Sequence, residues 1–155
     1  MKLKIQKVEG IFRSIVLSKF IKQLFLLIKP GLSESFLYVL FFLIKKKLNY
    51  SPIFLFFEII DKIRPKIGLK FFRRYKFNEL ETFVVPYLLT TYFQYNRAIF
   101  WFVKVIQSRK ESCLILKIFS EFSIILFKQA GECLNKKKEY YEQVIVSKST
   151  KKFKW

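Results

Sequence analysis

The chain has 155 residues and a formal net charge of +19, with no His, two Cys and 52% hydrophobic residues. The lack of imidazole and the scarcity of thiols exclude a disulfide scaffold, a structural zinc site and His-dependent catalysis, so we expect no enzyme, no metal and no cofactor. Because the hydrophobic content is too high for a disordered basic tail, the chain is expected to fold around a core and to bind a polyanion, either nucleic acid or an anionic lipid surface.

Turn signals divide the chain into short amphipathic blocks with the helical period. A basic arm over residues 1–13 precedes one expected domain over residues 14–155. Ser33 and Ser51 are suitable N-caps, and Gly131 is the kind of residue that follows a helix end. We predict helices over residues 14–29, 33–48, 51–64, 90–109, 111–128 and 134–148.

Between the third and fourth helices, the pattern changes to the alternation of a strand. Residues 66–71 alternate polar and apolar side chains, and a β-branched and aromatic run covers 82–85. We predict an antiparallel β-hairpin over about 66–86, with a long polar tip at 76–81. The expected fold class is mostly α, a bundle of about six helices with one protruding β-hairpin between the third and fourth helices.

The longest run without a charged residue, Thr82 to Asn96, has 15 residues. A membrane-spanning helix needs about 20 mostly apolar residues, so no membrane span is expected. Phe-rich helices beside Lys runs leave one alternative open, a basic amphipathic subunit associated with an anionic inner membrane. The charges are spread over the whole chain rather than along one helix, which weighs against that alternative.

The amino-acid usage indicates a gene rich in A and T. Phe, Tyr, Met, Ile, Asn and Lys, which have A/T-rich codons, account for 75 residues, whereas Gly, Ala, Arg and Pro account for 16. Organelle genomes commonly show this bias, and so do a few bacterial genomes. We therefore expect an organelle-encoded protein.

Short motifs follow one another in a fixed order along the chain. Phe57-Glu58, Arg64-Pro65, Arg73-Arg74 and Val84-Val85-Pro86 are followed by Trp101, fifteen residues after Pro86. Gly131 then precedes Lys136-Lys137-Lys138-Glu139, and the chain ends on Lys151-Lys152-Phe153-Lys154-Trp155. This order resembles small-subunit ribosomal protein seven, whose pattern runs from F-E through R-P and V-K-S-R-R to Q-V-P. The resemblance spans about residues 19–155. Each motif alone is weak evidence for the family, but all of them occur in the family's order.

The resemblance implies a structural protein of the small ribosomal subunit that binds the 3′ major domain of the rRNA. It implies further that the protein helps to assemble the head of the subunit, beside other head proteins, and that its hairpin and last helix lie near the exit-site tRNA and the mRNA path. Together with the codon bias, it favours the mitochondrial matrix, with a plastid as the open alternative.

The expected rRNA contacts are cations in positions that suit phosphate binding, with ordinary solvated charges as the alternative. Arg73 and Arg74 match the family's Arg pair at the hairpin, and Lys136 to Lys138 are expected to open the last helix, where cations oppose the helix dipole. For Trp101 two interpretations are open. It lies either at the edge of the core, covered by Lys104, or on a surface where RNA bases stack. The full set of predicted rRNA-binding residues is Lys2, Lys4, Lys7, Arg13, Lys19, Lys22, Lys70, Arg73, Arg74, Lys76, Arg97, Arg109, Lys110, Lys136, Lys137, Lys138, Lys148, Lys151, Lys152, Lys154 and Trp155.

Overall fold

The computed structural model describes residues 15–26, 33–76 and 79–149 of the chain. Over these residues, six helices and one antiparallel hairpin follow one another as α1 (Ile15–Phe25), α2 (Ser33–Leu48), α3 (Pro52–Ile63), β1 (Ile67–Lys76), β2 (Glu79–Leu88), α4 (Thr91–Ser108), α5 (Leu114–Phe127) and α6 (Glu132–Ser149). The predicted fold class, mostly α with a hairpin between the third and fourth helices, is confirmed. The basic arm over residues 1–13 lies outside the described residues, so the division into arm and domain stays a prediction.

The junction between α2 and α3 follows from local backbone conformations. Asn49, with a φ of 55°, lies in the left-handed region, which Asn tolerates better than most residues, and it directly follows the last residue of α2. Ser51 is extended and Pro52 begins α3, as predicted, but the Ser51 side chain makes no capping hydrogen bond. α3 stops at Ile63 because the next residue, Arg64, precedes a proline and takes a ψ of 131°.

The core is built around α4. Phe102 of α4 is fully buried, and its ring centre lies 5.8 Å from that of Phe20 in α1 and 5.2 Å from that of Phe122 in α5. Phe20 in turn lies 5.0 Å from Phe56 of α3. Tilted rings at such separations attract one another in addition to the gain from burial. One continuous series of aromatic rings therefore fixes four helices relative to each other.

The strands of the hairpin are longer than the sequence predicted. Strand pairing runs without interruption from Ile67 opposite Leu88 to Lys76 opposite Glu79. Residues 77–78 alone connect the two strands, so the expected long polar tip is wrong. Arg73, Arg74 and Tyr75 are all exposed, so both faces of the ribbon are open to solvent near its end. Strand pairing does not require an apolar face there, and polar and charged residues can therefore belong to the strands.

An ion network joins the connection between α4 and α5 to the start of α6. The carboxylate of Glu121, which is fully buried, accepts hydrogen bonds from the Arg109 guanidinium and, at 3.4 Å, from the backbone N–H of Cys133. Arg109 also donates to Glu111 at 3.0 Å. Gly131 has a φ of 124°, and a β-carbon there would lie 2.9 Å from Glu121 Oε1, so the close approach of these segments requires glycine.

Replacing Phe102 by Ala will lower the free energy of unfolding by about 3–5 kcal/mol, because the change removes a fully buried ring from the centre of the core. Urea unfolding followed by circular dichroism measures the loss. Phe54→Ala is the matched control, since Phe54 is 65% exposed, and its effect should stay within about 0.5 kcal/mol. Equal losses in the two variants would contradict this description of the core.

Hydrogen bonds from the Arg109 guanidinium hold the pKa of Glu111 at about 2, below its ordinary value of 4.5. A carboxyl group with a lowered folded-state pKa contributes stability above its unfolded pKa, and that contribution is lost as the pH falls from about 4.5 toward about 2. We expect Glu111→Gln to be less stable than the parent chain at about pH 6 and to lose less free energy of unfolding between about pH 6 and about pH 3.

Urea unfolding at both pH values measures this difference. Glu142→Gln, which removes an exposed carboxyl of α6, is the control for the loss of one negative charge. The expectation fails if the parent chain and Glu111→Gln lose the same free energy of unfolding on acidification.

Candidate nucleic-acid interface

The hairpin carries exposed cations on both of its faces. Side chains alternate along a strand, so Arg73 and Arg74 lie on opposite faces of the ribbon, and both are exposed. Lys70 shares the face of Arg74, and its ammonium lies 5.1 Å from the centre of the Phe72 ring. The two Arg side chains therefore do not converge on one phosphate. They equip the ribbon to contact RNA on two sides at once.

A cleft of about 810 Å³ lies between the middle of the hairpin and α6. Its walls include the apolar side chains of Leu69 and Phe71 and the carboxyl-bearing residues Glu139 and Glu142. Carboxylates repel phosphate, so this cleft is poorly suited to an RNA backbone. The outer part of the ribbon, where the two Arg side chains lie, is the better candidate.

Cations from two distant parts of the chain meet where α3 ends. The Lys137 ammonium donates to the backbone carbonyl of Lys62 at 2.7 Å, and the backbone N–H of Lys66 donates to the Tyr141 hydroxyl at 2.9 Å. Burial, reinforced by the charges of Lys66 and Arg64, lowers the pKa of Lys137. A bound phosphate would offset this mutual repulsion, so the junction is a candidate anion site.

A second group combines aromatic rings with cations on α4 and α6. Arg97 donates to the Tyr140 hydroxyl, and its guanidinium lies 5.0 Å from the centre of the Tyr140 ring. Trp101 meets the same ring edge to face, with 5.3 Å between ring centres. The Lys104 ammonium lies 4.5 Å from the Phe100 ring, not over Trp101 as expected. Trp101, half-buried against the core, therefore borders both the core and a mixed aromatic and cationic surface.

The two lysines of α1 differ in their surroundings, because Lys19 contacts α4 and Lys22 faces solvent. The Lys19 ammonium donates to Asn96 of α4 at 2.8 Å and lies 3.2 Å from the centre of the Tyr92 ring. Lys22 is exposed. Lys19 thus helps to join α1 to α4, whereas Lys22 is open to an external partner.

Arg109 has intramolecular partners instead of a free guanidinium. Its side chain is 15% exposed and forms ion pairs with Glu111 and Glu121. Arg109 therefore has a structural role in these ion pairs, and its rRNA contact stays a prediction. The adjacent Lys110 is exposed and remains a candidate.

The three consecutive lysines of α6 lie two residues farther into the helix than predicted. α6 begins at Glu132, so Lys136 to Lys138 lie in its second turn. The expected conflict with the helix dipole is wrong, because that effect fades beyond the first turn. Lys138 is exposed and Lys136 is half-buried, whereas Lys137 turns inward to α3.

Several predicted contacts fall outside what the structure describes, and they stay predictions. Residues of the two chain ends lie outside the described ranges, and so do the side chains of two lysines within β1 and α6. These residues are Lys2, Lys4, Lys7, Arg13, Lys76, Lys148, Lys151, Lys152, Lys154 and Trp155.

Two further groups of cations are not among the predicted contacts. Lys45, Lys46 and Lys47 are all exposed in the last turn of α2, and their run was visible in the sequence. The helix dipole favours cations at that end, so they also have a local structural explanation. Arg64 and Lys66 do not form such a run, and nothing in the sequence indicates that they lie close to α6, because that proximity depends on the tertiary fold.

Among the described residues, no helix has the length and apolar character needed to cross a membrane. A family model described as ribosomal protein S7p/S5e matches residues 2–145 of the chain. A comparison with curated proteins found no match. The match covers most of the chain and agrees with the helical fold, the hairpin and the exposed cations. The chain belongs to the ribosomal protein S7p/S5e family, a family of structural ribosomal proteins, and acts in translation as an RNA-binding protein of the small ribosomal subunit.

Proposed function

We propose that the chain binds the 3′ major domain of the small-subunit rRNA and helps to assemble the head of the subunit. The observation that carries this proposal is the ribbon with an exposed Arg on each face, Arg73 on one and Arg74 on the other. A guanidinium binds a phosphate through two parallel hydrogen bonds, so such a ribbon suits insertion between two segments of folded RNA. Recognition of that kind relies on backbone and shape rather than on base edges.

Cations outside the hairpin extend the proposed contact over α1, α4 and α6. Some of them already have one internal partner, but a lysine ammonium has three donors and an arginine five, so phosphate binding is compatible with those bonds. The proposed rRNA contacts with described side chains are Lys19, Lys22, Lys70, Arg73, Arg74, Arg97, Arg109, Lys110, Lys136, Lys137 and Lys138.

We also propose that the hairpin and α6 approach the exit-site tRNA and the mRNA path, beside neighbouring head proteins. The two elements pack against each other, which supports a common orientation toward one partner. The acidic residues Glu139 and Glu142 at their shared cleft favour a protein neighbour over nucleic acid at that particular position.

The ribosome that contains this chain is proposed to be mitochondrial. The support is the excess of residues with A/T-rich codons, 75 against 16. Purified mitochondria and plastids from the source organism, probed separately for the chain, test this location. Recovery with plastid or cytoplasmic subunits would contradict it.

Sedimentation of an organellar lysate on a sucrose gradient tests the proposed function directly. We expect the chain to migrate with the small subunit, to remain there after a moderate salt wash and to be released by RNase, because its binding depends on rRNA. Recovery in the membrane pellet regardless of RNase would reject this function and support the inner-membrane alternative.

The double variant Arg73→Gln/Arg74→Gln tests the hairpin as a phosphate-binding element. Loss of two phosphate contacts should weaken binding to a transcript of the 3′ major domain and lower the slope of log K against log salt by about 1.5 to 2. Filter binding over a salt series measures both. Lys117→Gln/Lys128→Gln, which removes two charges from α5 and its end, is the matched control. An unchanged slope in the hairpin variant would exclude phosphate contacts by these two residues.

A further inference from the structure

A cleft of about 430 Å³ opens between the end of β2, α4 and α6. Its lining is dominated by aromatic side chains, with one guanidinium among them. Three of these rings are exposed, Phe93 by 56%, Phe100 by 47% and Tyr87 by 44%. Arg97, Trp101 and Tyr140 also line the cleft.

The spacing of the α4 residues places the cleft along one side of that helix. Phe93, Arg97, Phe100 and Trp101 recur at intervals of four, three and one, which is the pattern of a single helical stripe. The wall formed with α6 is held in place, because Tyr140 accepts a hydrogen bond from Arg97 and packs against Trp101 at 5.3 Å. The cleft therefore combines a fixed inner wall with accessible rings at its mouth.

The charge of this cleft differs from that of the larger one beside α6. Among the described residues that line it, there is no carboxylate, whereas Glu139 and Glu142 line the larger cleft. Arg97 is part of the lining, and the Lys104 ammonium lies 4.5 Å from the Phe100 ring. Aromatic faces bordered by cations, without opposing acids, are the features that bind a stacked base and its phosphate.

We propose that this cleft holds one unstacked base from a single-stranded segment of the small-subunit rRNA. The base would stack on Phe93 or Phe100, and its phosphate would meet Arg97 or Lys104. The volume lies within the range of small-ligand pockets, about 300–1,000 Å³, and is therefore suited to a single nucleotide rather than to a helix. RNA loops commonly present bases in this way to aromatic side chains. The inference rests on the proposed rRNA binding and adds a base-stacking site to it.

Photo-crosslinking of the full chain to a 4-thiouridine-substituted transcript of the 3′ major domain from the same genome tests the site without any mutation. We expect crosslinked peptides from the α4 stripe or from the segment around Tyr140. Crosslinks confined to the hairpin and α1 would overturn the stacking site while leaving rRNA binding intact. If the transcript does not bind at all, the proposed function and the stacking site both fail.

The double variant Phe93→Leu/Phe100→Leu gives a second, independent readout. It keeps apolar side chains but removes two exposed rings, so affinity for the transcript should fall about fivefold or more. The dependence on salt should not change, because no charge is lost. Phe42→Leu/Phe54→Leu is the matched control, because it alters two exposed rings outside the cleft, at 64% and 65% exposure. Equal affinities for the two double variants would overturn the proposal, as would occupation of the cleft by a ribosomal protein in the assembled subunit.

Discussion

The series of buried rings that passes through Phe102 is the contact on which the rest of the molecule depends. It links α1, α3, α4 and α5 through contacts between aromatic rings in the core. Among the described residues, only Lys62, Arg64 and Arg109 form ion pairs with carboxylates. Apolar packing thus forms the centre of the fold, and most of the described cations have no carboxylate partner, which leaves them able to bind phosphates.

Much of the fold was predictable because each element carries its own period. The start of a helix at Pro52 and the alternation of a strand from Ile67 were visible in the sequence. The hairpin lies between the third and fourth helices, as predicted. The hairpin turn was misjudged because Arg73 to Lys76 look like a polar loop. In the outer part of the ribbon both faces are exposed, so polarity does not distinguish strand from turn there. The register follows from the strand pairing, which extends to Lys76 opposite Glu79.

The candidate site was predictable in composition but not in orientation. A run of lysines or an Arg pair can be read from the sequence, yet the partner of each charge cannot. Arg109 belongs to a buried network because Glu121, twelve residues later, returns to it from the next helix. Lys137 turns to the end of α3, 75 residues away in sequence. Such long-range pairings depend on how the helices pack, which local patterns do not specify.

The A/T-rich gene raises a specific difficulty for assigning function to exposed aromatic residues. Codon bias places Phe at positions where other proteins carry different apolar residues, and Phe42, Phe54 and Phe127 are exposed by 64%, 65% and 67%. Exposure of a ring is therefore weak evidence for a binding site in this chain. What distinguishes the cleft beside Arg97 is the arrangement of its residues, because several rings and a guanidinium surround one cavity with no described carboxylate in its lining. The hairpin and this cleft would then contribute in physically different ways, one through charge that salt weakens and one through stacking that salt leaves nearly unchanged.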